Sequence, residues 1–360
     1  MKMNRIQFQK GLSLNQFFAQ YGQEQQCESV LEFARWPDGF ICPKCGSNHY
    51  GTYRRGKRVK VFQCKACRSQ TTLTEKTIFH SSKLPLTAWF QAMYFQTQNK
   101  NNISMLEFSR LIGVSYRSAW RVKHKLMEVM FEREQNTILS GRIEIDDAYL
   151  GGELPGSKAG RGFENKIPFI AAVQTNNQGH PLYAVFSTVT SFSKAEVELW
   201  AKRSLKPSSR VVSDGLWCFQ AVEAAGCFHQ REIVGKDRNS TSMDCFHWVN
   251  TILGNLKNAI TGTYHAFDFE KYAHRYLGEF QYRFNRRFDL KGMFKRLVVA
   301  TVRSGKVPEH QTTPCGRLAL IRKQHVFSCV MFFPALIGNE RGALKWTVPD
   351  CGTCGRRCAR

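Results

Sequence analysis

Apolar residues along the chain follow two rhythms. Between residues 140 and 190 they alternate or run together over short stretches. GRIEIDDAYL (141–150), IPFIAAVQTN (167–176) and PLYAVFSTV (181–189) therefore predict three consecutive strands. SKAEVELWAKRSL (193–205) carries helical spacing. RVVSDG (210–215) predicts a short strand, then a helix from Leu216 and a further strand near EIVG (232–235). Long helices are predicted from about 245 to 262 and from about 268 to 287. Upstream, residues 1–36 predict a helical lead-in that stops at the turn Trp36-Pro37-Asp38-Gly39. Residues 76–133 are helical in pattern. Within them, ISMLEFSRLIGVSYRSAWRVKHKLMEVM (103–130) breaks at Gly113 and restarts behind Ser115 as N-cap, the pattern of a helix-turn-helix.

Three strands, helix, strand, helix, strand, helix is the order of a ribonuclease-H-like α/β domain. The expected organisation is multidomain: a helical lead-in (1–36), a small cysteine-bearing module (37–75), a helical DNA-binding segment (76–135), the α/β domain (140–305) and a basic tail (306–360). That tail ends in CGTCGRRCAR and is expected to be flexible.

Charge narrows the partner. The 360 residues carry 52 Lys+Arg against 28 Asp+Glu, a formal net charge of +24, which points to a polyanion. The excess clusters. RRGKRVKVFQCKACR (54–68) holds seven basic residues and no acid, and RFNRRFDLKGMFKR (283–296) holds six and one acid. No Lys/Arg-rich amphipathic helix dominates, so a membrane surface is not the expected partner. No apolar run reaches membrane-spanning length, and the first residues lack the apolar core of a secretory signal. The expected location is the cytoplasm, associated with the nucleoid. The 13 cysteines are accordingly expected to be ligands and core residues and not disulfides.

Four of those cysteines are spaced for metal. Cys42 and Cys45 form one C-x2-C, Cys64 and Cys67 another, with 18 residues between them that can form two short strands. This is the spacing of a zinc ribbon. Four thiolates complete a tetrahedral Zn2+ and leave no open position, so the role is structural. A module this small has too little core to fold without its ion.

Two aspartates stand where carboxylates could converge. Ile143 and Ile145 put the core on one face of the first strand, so Asp146 lies on the other. Asp147 is expected behind it or in the turn before Gly151-Gly152. Asp214 ends the VVSDG strand and should emerge beside Asp146. Such carboxylates can hold two Mg2+ or Mn2+ ions for phosphoryl transfer, one activating the attacking oxygen and one stabilising the leaving oxygen. The following helix carries no acid from Cys245 to Phe267. It offers Asn250 and, seven residues on and on the same face, Lys257. Asp237, Asp244 and Glu279 are other acids that could supply a third ligand.

RWPDGFICPKCGS, IEIDDAYLGG, VVSDG, VNTILGNLKNAITGTYHA and RYLGEFQYRFNRRFDL, in this order from about residue 15 to 300, resemble a DDE-superfamily insertion-sequence transposase. The likeness is to the branch with an N-terminal zinc ribbon and an Asp-Asp-Asn-Lys set. The resemblance implies Asp146, Asp214, Asn250 and Lys257 as the catalytic residues, the first three as metal ligands. It also implies inverted-repeat element ends and target DNA as substrates. The amide oxygen of Asn250 can ligate Mg2+ but brings no charge and no base. Arg117, Arg121, Lys123 and Lys125 on the second helix of the helix-turn-helix are expected to contact DNA, as are Arg283, Arg286 and Arg287. A homo-oligomer on DNA is expected. The readings that compete with this one are a zinc-ribbon regulator with a degenerate catalytic domain, and a structure-specific nuclease without strand transfer.

Overall fold

Arg142–Leu150 is the strand around which the α/β domain is organised. Its odd-numbered apolar residues Ile143 and Ile145 enter one core, and its even-numbered Ala148 and Leu150 enter another on the opposite face. The structure, a computed structural model, describes residues 9–56, 59–99, 102–151, 166–232, 244–264 and 267–305. The tail beyond 305, with its terminal cysteines, lies outside them, as do Asp237 and His265.

The N-terminal part begins with α1 (Leu14–Tyr21) and α2 (Glu24–Arg35), followed by three short strands, β1 (Tyr50–Arg55), β2 (Val59–Cys64) and β3 (Gln70–Thr72), in an antiparallel sheet ordered β1-β2-β3. Then come α3 (Leu86–Gln98), α4 (Met105–Leu111) and α5 (Tyr116–Glu134). The break between α4 and α5 is as expected. Gly113 takes φ +65°, a conformation that costs glycine little, and the Ser115 side chain accepts from the Ser118 amide at 3.3 Å.

In the α/β domain, β4 (Arg142–Leu150), β5 (Ile167–Thr175) and β6 (Pro181–Thr188) form an antiparallel meander. After α6 (Lys194–Ser204), β7 (Arg210–Ser213) pairs parallel with β4, and β8 (Phe228–Arg231) pairs parallel with β7. The sheet order is β6-β5-β4-β7-β8. Counted within the domain this is 3-2-1-4-5, three antiparallel strands and then two parallel additions, the ribonuclease-H-like topology expected from the element order. Helices α7 (His247–Thr263) and α8 (Phe269–Asn285) cover one face. On the other face lie α6 and a 3₁₀ segment, Trp217–Ala225.

Three details differ from the sequence pattern. The segment after Leu216 is 3₁₀ and ends at Gly226, φ +76°. That turn starts the last strand at Phe228, four residues ahead of EIVG. A further helix, α9 (Leu290–Arg303), was not expected. It leaves the α/β domain and inserts Met293, Phe294, Leu297 and Val298 into the N-terminal core beside Phe17, Phe90 and Met130. One apolar cluster thus joins the lead-in, the ribbon, the helical segment and α9. The ribbon is also held by charge: Arg54 forms a two-pronged pair with Glu28, and Lys60 bonds Glu32. Part of the basic cluster at 54–68 is therefore neutralised within the fold.

The second basic cluster has a similar fate. β6 is an edge strand, whose outward amides and carbonyls would otherwise be open to pairing with another chain. Polar residues of α8 and the turn after it satisfy them. Gln281 accepts from the Phe186 amide at 2.9 Å; Asn285 accepts from the Ala184 amide at 2.7 Å and donates to the Ala184 carbonyl at 2.9 Å. Arg287 donates to the Leu182 carbonyl at 3.0 Å, and burial pulls its pKa down to about 10. Arg286 bonds the buried Glu134 and lies over the Tyr282 ring. Among the described residues no helix is long and apolar enough to cross a membrane.

Asn285 also donates to Glu134 at 2.7 Å. Asn285→Ala removes three hydrogen bonds at a partly buried site and should lower unfolding free energy by about 2–4 kcal/mol. Urea unfolding checks this, and the exposed edge of β6 should make the variant more prone to aggregate.

Candidate active site and metal centres

The parallel pairing of β4 with β7 runs from Arg142 opposite Arg210 to Ile145 opposite Ser213. The next residues along are Asp146 and Asp214. β7 ends there, and the chain turns away through Gly215. The Leu216 amide donates to Asp214 Oδ1 at 3.1 Å, so the same aspartate closes the turn and faces the site. Beneath it, the hydroxyl of the buried Ser213 pairs with His229 Nε2 of β8 at 2.7 Å. Burial lowers the pKa of that histidine.

Asp146, Asp147 and Asp214 each offer a carboxylate oxygen, and these three oxygens lie within 4.8 Å of one another. Asp146 and Asp214 are half-buried and Asp147 is fully buried. Asp147 was expected on the far side of the strand. Its carboxylate joins the group because β7 stops at Ser213. Beyond that point no described strand pairs with this edge of β4, and side chains from both of its faces converge on Asp214. Three carboxylates this close repel one another strongly unless a cation or proton lies among them. The donor set is all oxygen, which suits a hard divalent ion. Glu279 is not in the group. It is buried between α5 and α8 and accepts from the Tyr264 hydroxyl at 3.0 Å. Nothing is described of the Asp244 side chain.

Asn250 and Lys257 lie seven residues apart on α7, both half-buried. The helix packs Val249, Ile252, Leu253 and Leu256 onto the face of the sheet that carries Asp146. Its first turn is held by a residue that sequence reasoning passed over. Glu144, fully buried on β4, accepts from the Trp248 amide at 2.9 Å and the Val249 amide at 3.0 Å. An acid flanked by isoleucines in a strand is the signal that marked it. His247 is exposed beside the ring of Trp248.

The four ribbon cysteines also come together. Their sulfurs lie within 4.8 Å of one another, with Cys42 and Cys67 at 3.5 Å and Cys45 and Cys64 at 3.5 Å. Two tight turns build the group. The Gly46 amide bonds the Cys42 carbonyl, the Arg68 amide bonds the Cys64 carbonyl, and both turn residues have positive φ. The backbone amide of Cys67, pointing at the Cys64 sulfur, brings that thiol down to about 6. Four sulfurs at this separation fit a tetrahedral ion.

The basic residues of α5 divide into two groups. Arg117 is exposed on the first turn and Arg121 is half-buried. Lys123 is not at the surface at all: it is fully buried, bonds the Ile103 carbonyl and donates to Tyr264 at 2.8 Å. Burial lowers its pKa to about 8, against the pull of Glu279. Lys125 donates to the Ile78 carbonyl at 3.1 Å, under the Trp89 ring. Helix α5 is packed by α3, α4, α8 and α9, so its fully exposed residues lie in its first and last turns and those between are half-buried or buried. The expectation that Lys123 contacts DNA is corrected, and that for Lys125 is weakened by its internal bond. Arg283, which bonds Asn99 and Asn102, and Arg286 and Arg287 are all engaged inside the protein as well.

Residues 138–285 match the ISXO2-like transposase domain, and residues 22–70 match the transposase zinc-ribbon domain. An uncharacterised protein in the transposable element ISH50 of Halobacterium salinarum is 24% identical over 286 residues, covering 71% of this chain and 93% of that relative. The solved pre-cleavage Mos1 transpososome is similar at 10% identity, covering 57% of this chain and 76% of that one, with a TM-score of 0.21.

The cysteine group predicts one tightly held metal ion per chain. Elemental analysis of the purified protein should find it, and Cys64→Ser should release it and loosen the ribbon. Protein free of metal at these cysteines but fully folded would contradict the assignment.

Proposed function

We propose, for a chain that carries the zinc-ribbon and DDE domains of an insertion-sequence transposase, that it cuts DNA at the inverted-repeat ends of its element and joins the freed 3′ ends to target DNA. The observation that carries this reading is the convergence of Asp146, Asp147 and Asp214 where β7 ends beside β4. A regulator that had lost its chemistry would gain nothing from three mutually repelling carboxylates. Joining of the ends, beyond cutting, rests on the matched transposase domains and on the similar protein in the transposable element ISH50.

Two Mg2+ or Mn2+ ions at this site would activate the attacking oxygen and stabilise the leaving one. In the proposed arrangement, Asp146 and Asp214 hold them, and Asn250 adds its amide oxygen from α7. Asp147 is close enough to share in the binding or to keep its neighbour's carboxylate oriented. Lys257, two turns further along α7, is proposed to hold a DNA phosphate next to the cut. Arg117, exposed on the first turn of α5, and the half-buried Arg121 are proposed to contact the DNA backbone. The four cysteines hold Zn2+, which fixes the ribbon and, through the shared core, the helices beneath it. The protein is expected to act in the cytoplasm on the nucleoid, as a homo-oligomer that brings two element ends together.

Asp214→Asn should abolish cleavage of an end-containing duplex and leave binding in a gel-shift within about twofold, because affinity comes mainly from phosphate contacts. Cleavage that survives this substitution would remove Asp214 from the site. Asn250→Ala should lose activity in Mg2+ and regain part of it in Mn2+, which accepts less regular ligation. Asn250→Asp should retain more. An Asn250→Ala protein that cleaves normally in Mg2+ would leave the third ligand elsewhere.

A further inference from the structure

Among the described side chains, none near the start of α7 in the chain caps it. The residue before it is Phe246, whose side chain accepts nothing, and no acid lies in its first turn. The orphan amides at that end are met from another element: Glu144 Oε2 takes both the Trp248 and Val249 amides. Glu144 Oε1 takes Arg142 Nη1 at 2.7 Å, and Arg142 Nη2 donates to the Cys245 carbonyl at 3.2 Å, just ahead of the helix. Strand β4 thus grips the start of α7 with a carboxylate on its amides and a guanidinium on the carbonyl before them. The positive end of the helix dipole meets a buried negative charge.

The grip has a consequence for the site. Glu144 and Asp146 are two residues apart on one strand, so they share a face and lie about 7 Å apart along it. Asn250 directly follows the two amides that Glu144 holds. One strand therefore carries both a carboxylate of the metal site and the clamp on the helix that bears Asn250.

We propose that Glu144 is a positioning residue, which fixes Asn250 against Asp146 and Asp214 by capping α7 from β4. This rests on the reading of Asn250 as the third ligand. Glu144 does not touch the reacting atoms. Its contribution is to hold a neutral, weakly attracted ligand where a carboxylate would be drawn in by its own charge.

Glu144→Gln tests it in the full-length, zinc-loaded protein. Glutamine keeps the volume but must turn an NH2 group toward either Arg142 or the helix amides, donor against donor. Hydrogen–deuterium exchange at Trp248 and Val249 should quicken by about tenfold or more. Mn2+ affinity by calorimetry and cleavage of an end duplex should each fall by about tenfold. Metal-free duplex binding should stay within about twofold. In an Asn250→Ala background the same substitution should weaken Mn2+ binding no further, because its effect passes through Asn250. Additive losses, or quickened exchange with unchanged Mn2+ affinity, would overturn the proposal. So would unchanged exchange. If Glu144→Gln does not fold, Glu144→Asp keeps the charge but shortens the reach by one methylene and takes the same measurements. If Asn250→Ala alone binds Mn2+ normally, the reading of Asn250 fails. If it binds weakly while Glu144→Gln binds normally, only the positioning role fails.

Discussion

Parallel pairing between β4 and β7 is the constraint on which the site depends. A β-strand shifted by one residue sends every side chain to the opposite face. With Ile145 opposite Ser213, Asp146 and Asp214 come side by side; a slip would part them. The register is held by the apolar residues that flank the acids. Ile143, Ile145 and Val211 enter the core under α6, while Val212, Ala148 and Leu150 enter the core under α7 and α8. The carboxylates then meet where β7 ends and backbone pairing gives out.

Around this strand pair, the helices are fixed to the sheet by polar contacts as much as by apolar ones. Glu144 caps α7, and Gln281, Asn285 and Arg287 close the outer edge of β6. Lys123, Tyr264 and Glu279 form a buried chain between α5, α7's end and α8, in which the hydroxyl of Tyr264 receives from the lysine and donates to the glutamate. Such networks are costly when half-satisfied and specific when complete. They tie the helical segment to the α/β domain, and α9 ties the end of that domain back to the ribbon's core. The N-terminal part is thereby linked mechanically to the three-carboxylate site.

The strand order and the pair Asp146–Asp214 were legible in the sequence because alternation fixes faces and element order limits topology. The four cysteines were legible because their spacing carries the geometry of the metal. Charge was the misleading signal. Lys123, Arg286 and Arg287 count toward a basic surface in any tally of composition, yet their partners Tyr264, Glu134 and the β6 carbonyls lie far off in sequence. Glu144 was missed for the same reason: nothing near it in the chain shows that an uncapped helix about a hundred residues later needs its carboxylate. Helix α9 was passed over because its apolar stripe is matched by a core more than 150 residues earlier.

The central claim is that the edge of β4 is a divalent-metal site completed by α7. Anomalous diffraction from Mn2+-soaked crystals with an element-end duplex tests it most directly. The account predicts anomalous density within ligation distance, about 2.0–2.2 Å, of carboxylate oxygens of both Asp146 and Asp214, with the Asn250 amide oxygen completing one ion's shell. Mn2+ bound elsewhere, or a bound duplex with no ion between these two aspartates, would contradict it.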